Sequence, residues 1–268
     1  MKLNGKRVLL TGASSGIGLE LARVLAARGA ILAISSRGGR RLEQVSEELA
    51  AAVPGMRKPL PVACDVSDGA SVTNLIGTCI ETLGTVDVLI NNAGICVYGS
   101  VEKTPLADVQ KLLDVNYLGP VRAMLEVLPF MKRQGHGLIV NVSSLAALRG
   151  VPYLGAYGAS KAALVALSQS MRAELAGSGV SVMLVYPDYT ESAIFENETK
   201  VGGGKRPEGP YAPTAEVAEA IVKGIEADAR ELILSSRGKK LAILSRLAPS
   251  FVERAMCKLA DELRDEGE

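Results

Sequence analysis

Seven short apolar runs punctuate the chain, at residues 7–10, 31–36, 60–63, 86–91, 137–142, 181–186 and 232–234. They are apolar without a polar alternation, the pattern of strands covered by helices on both faces. Longer stretches of helical period lie between them. Residues 16–28 place Leu21, Val24 and Leu25 on one face, and Gly29 stands where such a helix would end. Residues 71–83 and 214–229 read the same way, with Thr214 at the N-cap position. The alternation predicts an α/β chain built on a doubly wound, seven-stranded parallel sheet flanked by helices. Pro59 and Pro61 flank and interrupt the third run, which suits an edge strand. A 3-2-1-4-5-6 strand order places that strand at an edge too.

The pattern continues past this sheet. Residues 1–236 read as one domain and residues 237–268 as a helical C-terminal extension. Leu241, Leu244 and Leu247 recur every third position, Pro249 interrupts, and Val252, Met256, Leu259 and Leu263 follow at four-three-four spacing. The expectation is a helical pair packed on the same body or on another subunit. Arg237, Lys239, Lys240 and Arg246 bias its first half basic, so weak association with a membrane surface is the alternative. Residues 192–212 enclose "VGGGKRPEGP", a glycine- and proline-rich segment that reads as a mobile loop over a substrate site.

Composition narrows the function classes. The 268 residues carry a net charge of +1, so no global field favours nucleic acid or a membrane. The four cysteines show neither disulfide-framework nor metal-ligand spacing and read as reduced thiols of a cytoplasmic protein. His136 is the sole histidine, which excludes a multi-histidine metal centre; no metal is expected, and His136 itself reads as a solvated loop residue. No apolar run reaches the ~18 residues of a spanning helix.

Chemistry enters with "TGASSGIG", residues 11–18, directly after the first run and opening a helix. Gly12 permits a tight turn, and Gly16 and Gly18 let a pyrophosphate approach the backbone beside Ile17 at a helix N-terminus. Ser14 and Ser15 add hydroxyl donors. An NAD site places Asp or Glu about 20 residues on, at the end of the second strand. Here that strand ends Ser36-Arg37, and Arg37 can hold a ribose 2′-phosphate, which points to NADP(H) rather than NAD(H). Further on, "AYGASKAAL" sets Tyr157 and Lys161 four residues apart, on one helical face. A tyrosine whose pKa is drawn down by a neighbouring cation can trade a proton with an alkoxide.

These motifs, in this order, resemble the single-domain short-chain dehydrogenase/reductase family. TGASSGIG is followed by Cys64-Asp65-Val66 after the third strand, Asn91-Asn92-Ala93-Gly94 after the fourth, Asn116 in the next helix, Ser143-Ser144 after the fifth, then Tyr157 and Lys161. The resemblance implies a Rossmann-like sheet and a catalytic tetrad of Asn116, Ser144, Tyr157 and Lys161. Ser144 is preferred over Ser143 because the family serine lies thirteen residues before the tyrosine. It implies that Ser144 orients a carbonyl, that Asn116 holds a water linked to Lys161, and that Asp65 and Val66 meet the adenine. It also implies that Asn92, Ala93 and Gly94 line the ribose side, and that Pro187, Thr190 and Ser192 meet the nicotinamide.

The expected activity is hydride transfer between NADP(H) and a ketone or secondary alcohol, lipophilic in character (steroid-, sphingoid- or acyl-chain-like), in a homo-dimer or homo-tetramer. One departure stands out. Asp188 follows Pro187 where the family has glycine, and adds bulk and charge where the backbone should approach the nicotinamide. That substitution is the one support for the rival reading, a catalytically silent nucleotide sensor or scaffold.

Overall fold

Valine, leucine and isoleucine fill the strands, and period-two geometry sends successive side chains to opposite faces. The chain, a computed structural model that describes residues 1–191, 199–201, 204–205, 209 and 211–264, resolves this into three layers. In chain order the strands are β1 (Arg7–Thr11), β2 (Ile31–Ser36), β3 (Leu60–Ala63), β4 (Val88–Asn91), β5 (Val97–Gly99), β6 (Gly137–Val142), β7 (Val180–Tyr186), β8 (Thr199–Val201) and β9 (Glu231–Ile233). The α-helices are α1 (Gly16–Ala27), α2 (Gly39–Ala52), α3 (Gly69–Leu83), α4 (Leu106–Leu113), α5 (Gly119–Gln134), α6 (Gly155–Glu174), α7 (Thr214–Glu226), α8 (Ser236–Leu247) and α9 (Pro249–Leu263).

The main sheet is parallel, in the order β3-β2-β1-β4-β6-β7-β9. Its seven strands fall on the seven apolar runs, and β3, with its prolines, is the edge strand. Val8 and Leu10 of β1 point to one side, with Leu21 and Leu25 of α1, Leu42 and Val45 of α2 and Ile221 and Val222 of α7. Leu9 points to the other, with Val72 and Ile76 of α3, Met124 and Val127 of α5 and Leu164 of α6. Both faces are therefore covered, which is why the runs lack alternation.

Local chemistry sets the helix ends. Asp68 caps α3, its carboxylate accepting from the backbone N–H groups of Ala70 and Ser71. The helix therefore starts two residues before the apolar period suggests. Gly29 takes a φ of +76° just past α1, the left-handed conformation glycine adopts without a Cβ penalty. Thr214 is not the cap of α7: Pro213, extended at φ −58° and ψ 136°, holds that position and Thr214 opens the helix. His136 is more than a solvated loop residue. Its Nε2 lies 3.0 Å from Oδ1 of the nearly buried Asp87, which also accepts from the Arg7 backbone N–H.

Two features have no counterpart in the apolar pattern. Residues 114–118 form a π-helical turn between α4 and α5. β5 and β8 form a second, two-stranded parallel sheet, so residues 199–201 of the expected loop are strand. The extension forms the helical pair α8 and α9, broken at Ala248-Pro249. Val252 and Leu263 of α9 are buried, whereas Ile243, Leu247 and Phe251 are exposed.

Removing the Asp68 cap tests the local reading. Asp68→Ala is expected to cost about 1 kcal/mol, lowering the melting temperature by roughly 2–4 °C for a chain of this size. An unchanged midpoint in thermal denaturation would refute the capping role.

Candidate active site

The carboxyl ends of the strands open on one cavity of about 690 Å³, at the crevice expected where the strand order reverses. Within it lie the glycine loop, the ends of β2 and β3, the segments after β4, β6 and β7, and side chains from α6, α8 and α9.

The glycine loop is shaped by contacts that admit no side chain. Gly12 has a φ of +71°, and a Cβ there would lie 2.8 Å from the Cα of Ala93. A Cβ on Gly18 would strike the carbonyl oxygen of Gly12. The Asn92 amide braces the loop from behind, donating to the carbonyls of Thr11 and Gly12 at 3.0 and 3.2 Å. The Thr11 hydroxyl accepts from the N–H groups of Asn92 and Ala93, both at 3.1 Å. Ser15 is the N-cap of α1 but makes no side-chain capping bond, and the first turn carries no acid. Gly16, Ile17 and Gly18 of that turn line the cavity with Ser14 and Ser15. Backbone donors and the positive end of a helix dipole thus meet a glycine-lined space, which fits a pyrophosphate.

The far side of this region is set by β2 and β3. Arg37 and Ser36 line the cavity, and the buried Ser36 hydroxyl has no hydrogen-bond partner among the described residues. Asp65 and Val66 line it too. Asp65 accepts from the N–H and hydroxyl of Ser67 at 2.9 and 2.7 Å. These bonds, with some help from Arg37, hold its carboxyl below the usual range against the opposing effect of burial. Ala93 and Gly94 follow β4 into the wall, and Pro187 and Thr190 follow β7. Ser192 lies outside the described residues.

Ser144, Tyr157 and Lys161 share the cavity. A Cβ on Gly158 would sit 2.8 Å from the carbonyl oxygen of Ala146, so only glycine lets α6 close on the turn of residues 145–147. That closure sets the Tyr157 phenol against the Ser144 hydroxyl. Burial pushes the phenol's pKa well up, Cys96 adds to this, and the bond with Ser144 opposes it. The fall toward neutrality expected from Lys161 is therefore not a property of the protein alone. The Lys161 ammonium, 3% exposed, donates to the Val142 carbonyl at 3.0 Å, and burial lowers its pKa to about 8.

Asn116 is fully buried in the π-helical turn, behind the cavity wall. Its amide donates to the Ile95 carbonyl at 2.9 Å and to the Ser160 hydroxyl at 3.0 Å, and its oxygen accepts from the Ile95 N–H at 2.9 Å. Ser160 in turn donates to the Tyr157 carbonyl at 2.7 Å. The side chain of Asn116 is thus committed to joining α6 to the segment after β4, and a water-holding role would fall to its main chain.

Several residues here escaped the motif reading. Ile95, Val151, Leu154, Tyr189, Leu241, Met256 and Leu259 give the cavity an apolar wall. The four-three-four spacing in α9 signalled an inward face but not what that face meets. Asp188 turns toward α8, where Ser235 and Arg237 donate to its carboxylate.

Comparison with known proteins agrees with this geometry. The family model described as short chain dehydrogenase matches residues 6–201. The chain is 35% identical over 258 residues to the ketoacyl reductase HetN of Nostoc sp., covering 94% of this chain and 88% of that protein. It is 34% identical over 267 residues to dehydrogenase/reductase SDR family member 7B of Danio rerio, covering 96% and 86%. Among solved structures, a short-chain dehydrogenase/reductase from Burkholderia phymatum in complex with NAD superposes with a TM-score of 0.84 at 25% identity, covering 94% of this chain and 96% of that one. An alcohol dehydrogenase from the archaeon Thermococcus sibiricus, complexed with 5-hydroxy-NADP, gives 0.77 at 31%, covering 86% and 96%. A match spanning most of the sheet, over a crevice whose tyrosine, lysine and serine converge, leaves one assignment: the chain belongs to the short-chain dehydrogenase/reductase family and is an oxidoreductase of that family.

Proposed function

We propose that this protein is an NADP(H)-dependent carbonyl reductase, or alcohol dehydrogenase in reverse, acting on ketones carried on an apolar body. One observation carries the reading: a buried tyrosine facing a serine hydroxyl, in the same cavity as an open helix N-terminus and an apolar wall from α8 and α9. The relatives whose names print an activity include a ketoacyl reductase and an alcohol dehydrogenase, which supports carbonyl chemistry. Solved relatives hold NAD in one case and 5-hydroxy-NADP in another, so the choice of cofactor rests on the end of β2. There Arg37 supplies a planar cation and Ser36 a hydroxyl with no other partner among the described residues, while no acid ends the strand. That set suits a 2′-phosphate better than a bare ribose diol.

In this mechanism the bound nicotinamide supplies the hydride. Ser144 donates a hydrogen bond to the substrate oxygen and fixes its position. Tyr157 hands its proton to the alkoxide as it forms. Lys161, charged below about pH 8, stabilises the phenolate left behind. Asn116 keeps Tyr157 and Ile95 in register through Ser160. Asp188, the only feature favouring a silent binder, is occupied by α8 and adds nothing to that reading.

Three outcomes follow. Tyr157→Phe should lower kcat for ketone reduction by about 10³-fold, the range of general acid catalysis, with NADPH affinity held within a few-fold by fluorescence titration; unaltered turnover would mean the proton comes from elsewhere. Arg37→Ala should weaken kcat/KM for NADPH by about 10–100-fold, the worth of a charge-assisted bond, and leave NADH nearly untouched; wild-type preference for NADH would defeat the cofactor assignment. For reduction, kcat/KM should be level near neutrality and fall as pH rises through about 8, because Lys161 loses its charge there. Lys161→Arg, whose guanidinium stays charged, should remove that limb; a wild-type profile flat well above that pH would dissociate Lys161 from the step.

A further inference from the structure

Asp188 stands where the family resemblance places a glycine, and its carboxylate joins two distant segments. The Ser235 hydroxyl donates to Oδ2 at 2.6 Å. Arg237 donates from Nη2 to Oδ1 at 2.6 Å and from Nε to Oδ2 at 3.3 Å, a two-pronged pairing. The Tyr189 N–H donates to Oδ1 at 2.9 Å. Ser235 is also the N-cap of α8, and the same hydroxyl accepts from the Gly238 N–H at 2.9 Å. The helix therefore begins on Asp188, with the carboxylate at the positive end of its dipole.

The neighbours are closely fitted. The Arg237 guanidinium lies 5.6 Å from the ring centroid of Tyr189, which stacks on Tyr211 at 5.7 Å. A Cβ on Gly238 would come within 2.6 Å of Leu145, the residue after Ser144. One helical turn beyond Arg237, Leu241 enters the cavity wall, and α9 returns to add Met256 and Leu259. The far end of the pair is tied independently, by an ion pair of Arg149 with Glu253 and by the Leu263 carbonyl, which accepts from the Lys205 N–H at 2.8 Å. Exposed ion pairs contribute little. Here the Arg237 side chain is 67% exposed but the carboxylate only 14%, and a partly buried hydrogen bond from the Ser235 hydroxyl adds to the pair. Burial alone would raise its pKa, yet the bonds from Arg237, Ser235 and Tyr189 outweigh it and keep the group ionised.

We propose that Asp188, Ser235 and Arg237 form a clasp that fixes the α8–α9 pair as the apolar wall of the cavity. Asp188 and Arg237, which themselves border the cavity, are then positioning residues: they act through Leu241, Met256 and Leu259 on the part of the substrate distant from the carbonyl. This rests on the cavity being a carbonyl-substrate site, and it predicts a specificity effect rather than a chemical one.

The test compares wild type, Asp188→Ala, Arg237→Gln and the double variant on two ketones, one compact and one with a long apolar body. For the long ketone, kcat/KM should fall about tenfold through KM, and for the compact one less than about threefold, the split expected when binding alone is lost. The double variant should be no worse than Asp188→Ala alone, because that change already removes everything Arg237→Gln removes. In hydrogen exchange on the full-length protein, α8 amides should exchange faster in each variant while those near Leu263 stay protected. Arg237→Lys, which keeps the cation but loses the fork, should restore most of the affinity, and serves where Arg237→Gln folds poorly. Equal losses on both ketones through kcat would place Asp188 at the reacting groups and overturn the clasp. Additive variants, or unchanged α8 exchange, would overturn it too. Should wild type reduce neither ketone, the carbonyl-reductase reading fails, and the exchange comparison alone decides the clasp.

Discussion

Under the proposed reaction, a lysine that is almost fully buried must still carry a charge, and the site depends on that constraint. Taking an ammonium out of water disfavours its charged form, and Lys161 shows this in a pKa lowered to about 8. The surrounding structure keeps it useful at neutral pH. The last residue of β6 offers the Val142 carbonyl to its Nζ, and the Ser143 hydroxyl donates to the Lys161 carbonyl. Gly158 lets α6 come close enough for both contacts, and Ser160 passes the positioning back to Asn116 and the π-helical turn. These contacts hold the helix that carries both Tyr157 and Lys161 against the end of β6 and the two turns, so strand end, turn and helix form one unit.

At position 188 burial again disfavours the charge, but there it is outweighed. A carboxylate in place of a glycine would be costly if left unpaired near the cavity, because unpaired charges are poorly tolerated in partly dry surroundings. It is instead turned to the N-terminus of α8 and met by three donors. The departure from the family pattern is thus linked to the helical extension beyond β9. A chain lacking α8 and its cap would leave Asp188 only the Tyr189 N–H, and a chain with glycine at 188 would give α8 no carboxylate on which to start.

How much of this could be read in advance depends on the range of the interactions involved. The seven strands of the main sheet, the edge position of β3, and the placement of Tyr157, Lys161 and the glycine loop rest on short-range signals: apolar runs, glycines and fixed spacings. The small sheet was not legible. β5 and β8 are three residues each, and each gains its pairing from a segment about a hundred positions away. The Thr214 cap failed because Pro213, fixed near φ −60° by its ring, already supplies the extended geometry. The spacing argument for Tyr157 and Lys161 assigns no role to Gly158 and Ser160 between them. Their work is with Ala146 and Asn116, which no local window contains. The Asp188 partners lie 47 and 49 positions downstream, beyond the reach of any motif.

The raised pKa of Tyr157 has a consequence for direction under the proposed reaction. Reduction needs the phenol protonated at the outset, and burial secures that form at neutral pH. Oxidation of an alcohol needs the phenolate, and each pKa unit above the working pH disfavours it by about 1.4 kcal/mol. Lys161, which lines the same cavity, loses its charge well below the pH at which a phenolate would become accessible. The free protein is therefore preset to give a proton, and taking one depends on positive charge brought in with the oxidised cofactor. A phenol that stays protonated until the cofactor arrives also spares the free protein a buried lysine–phenolate ion pair, whose two desolvated charges would be costly.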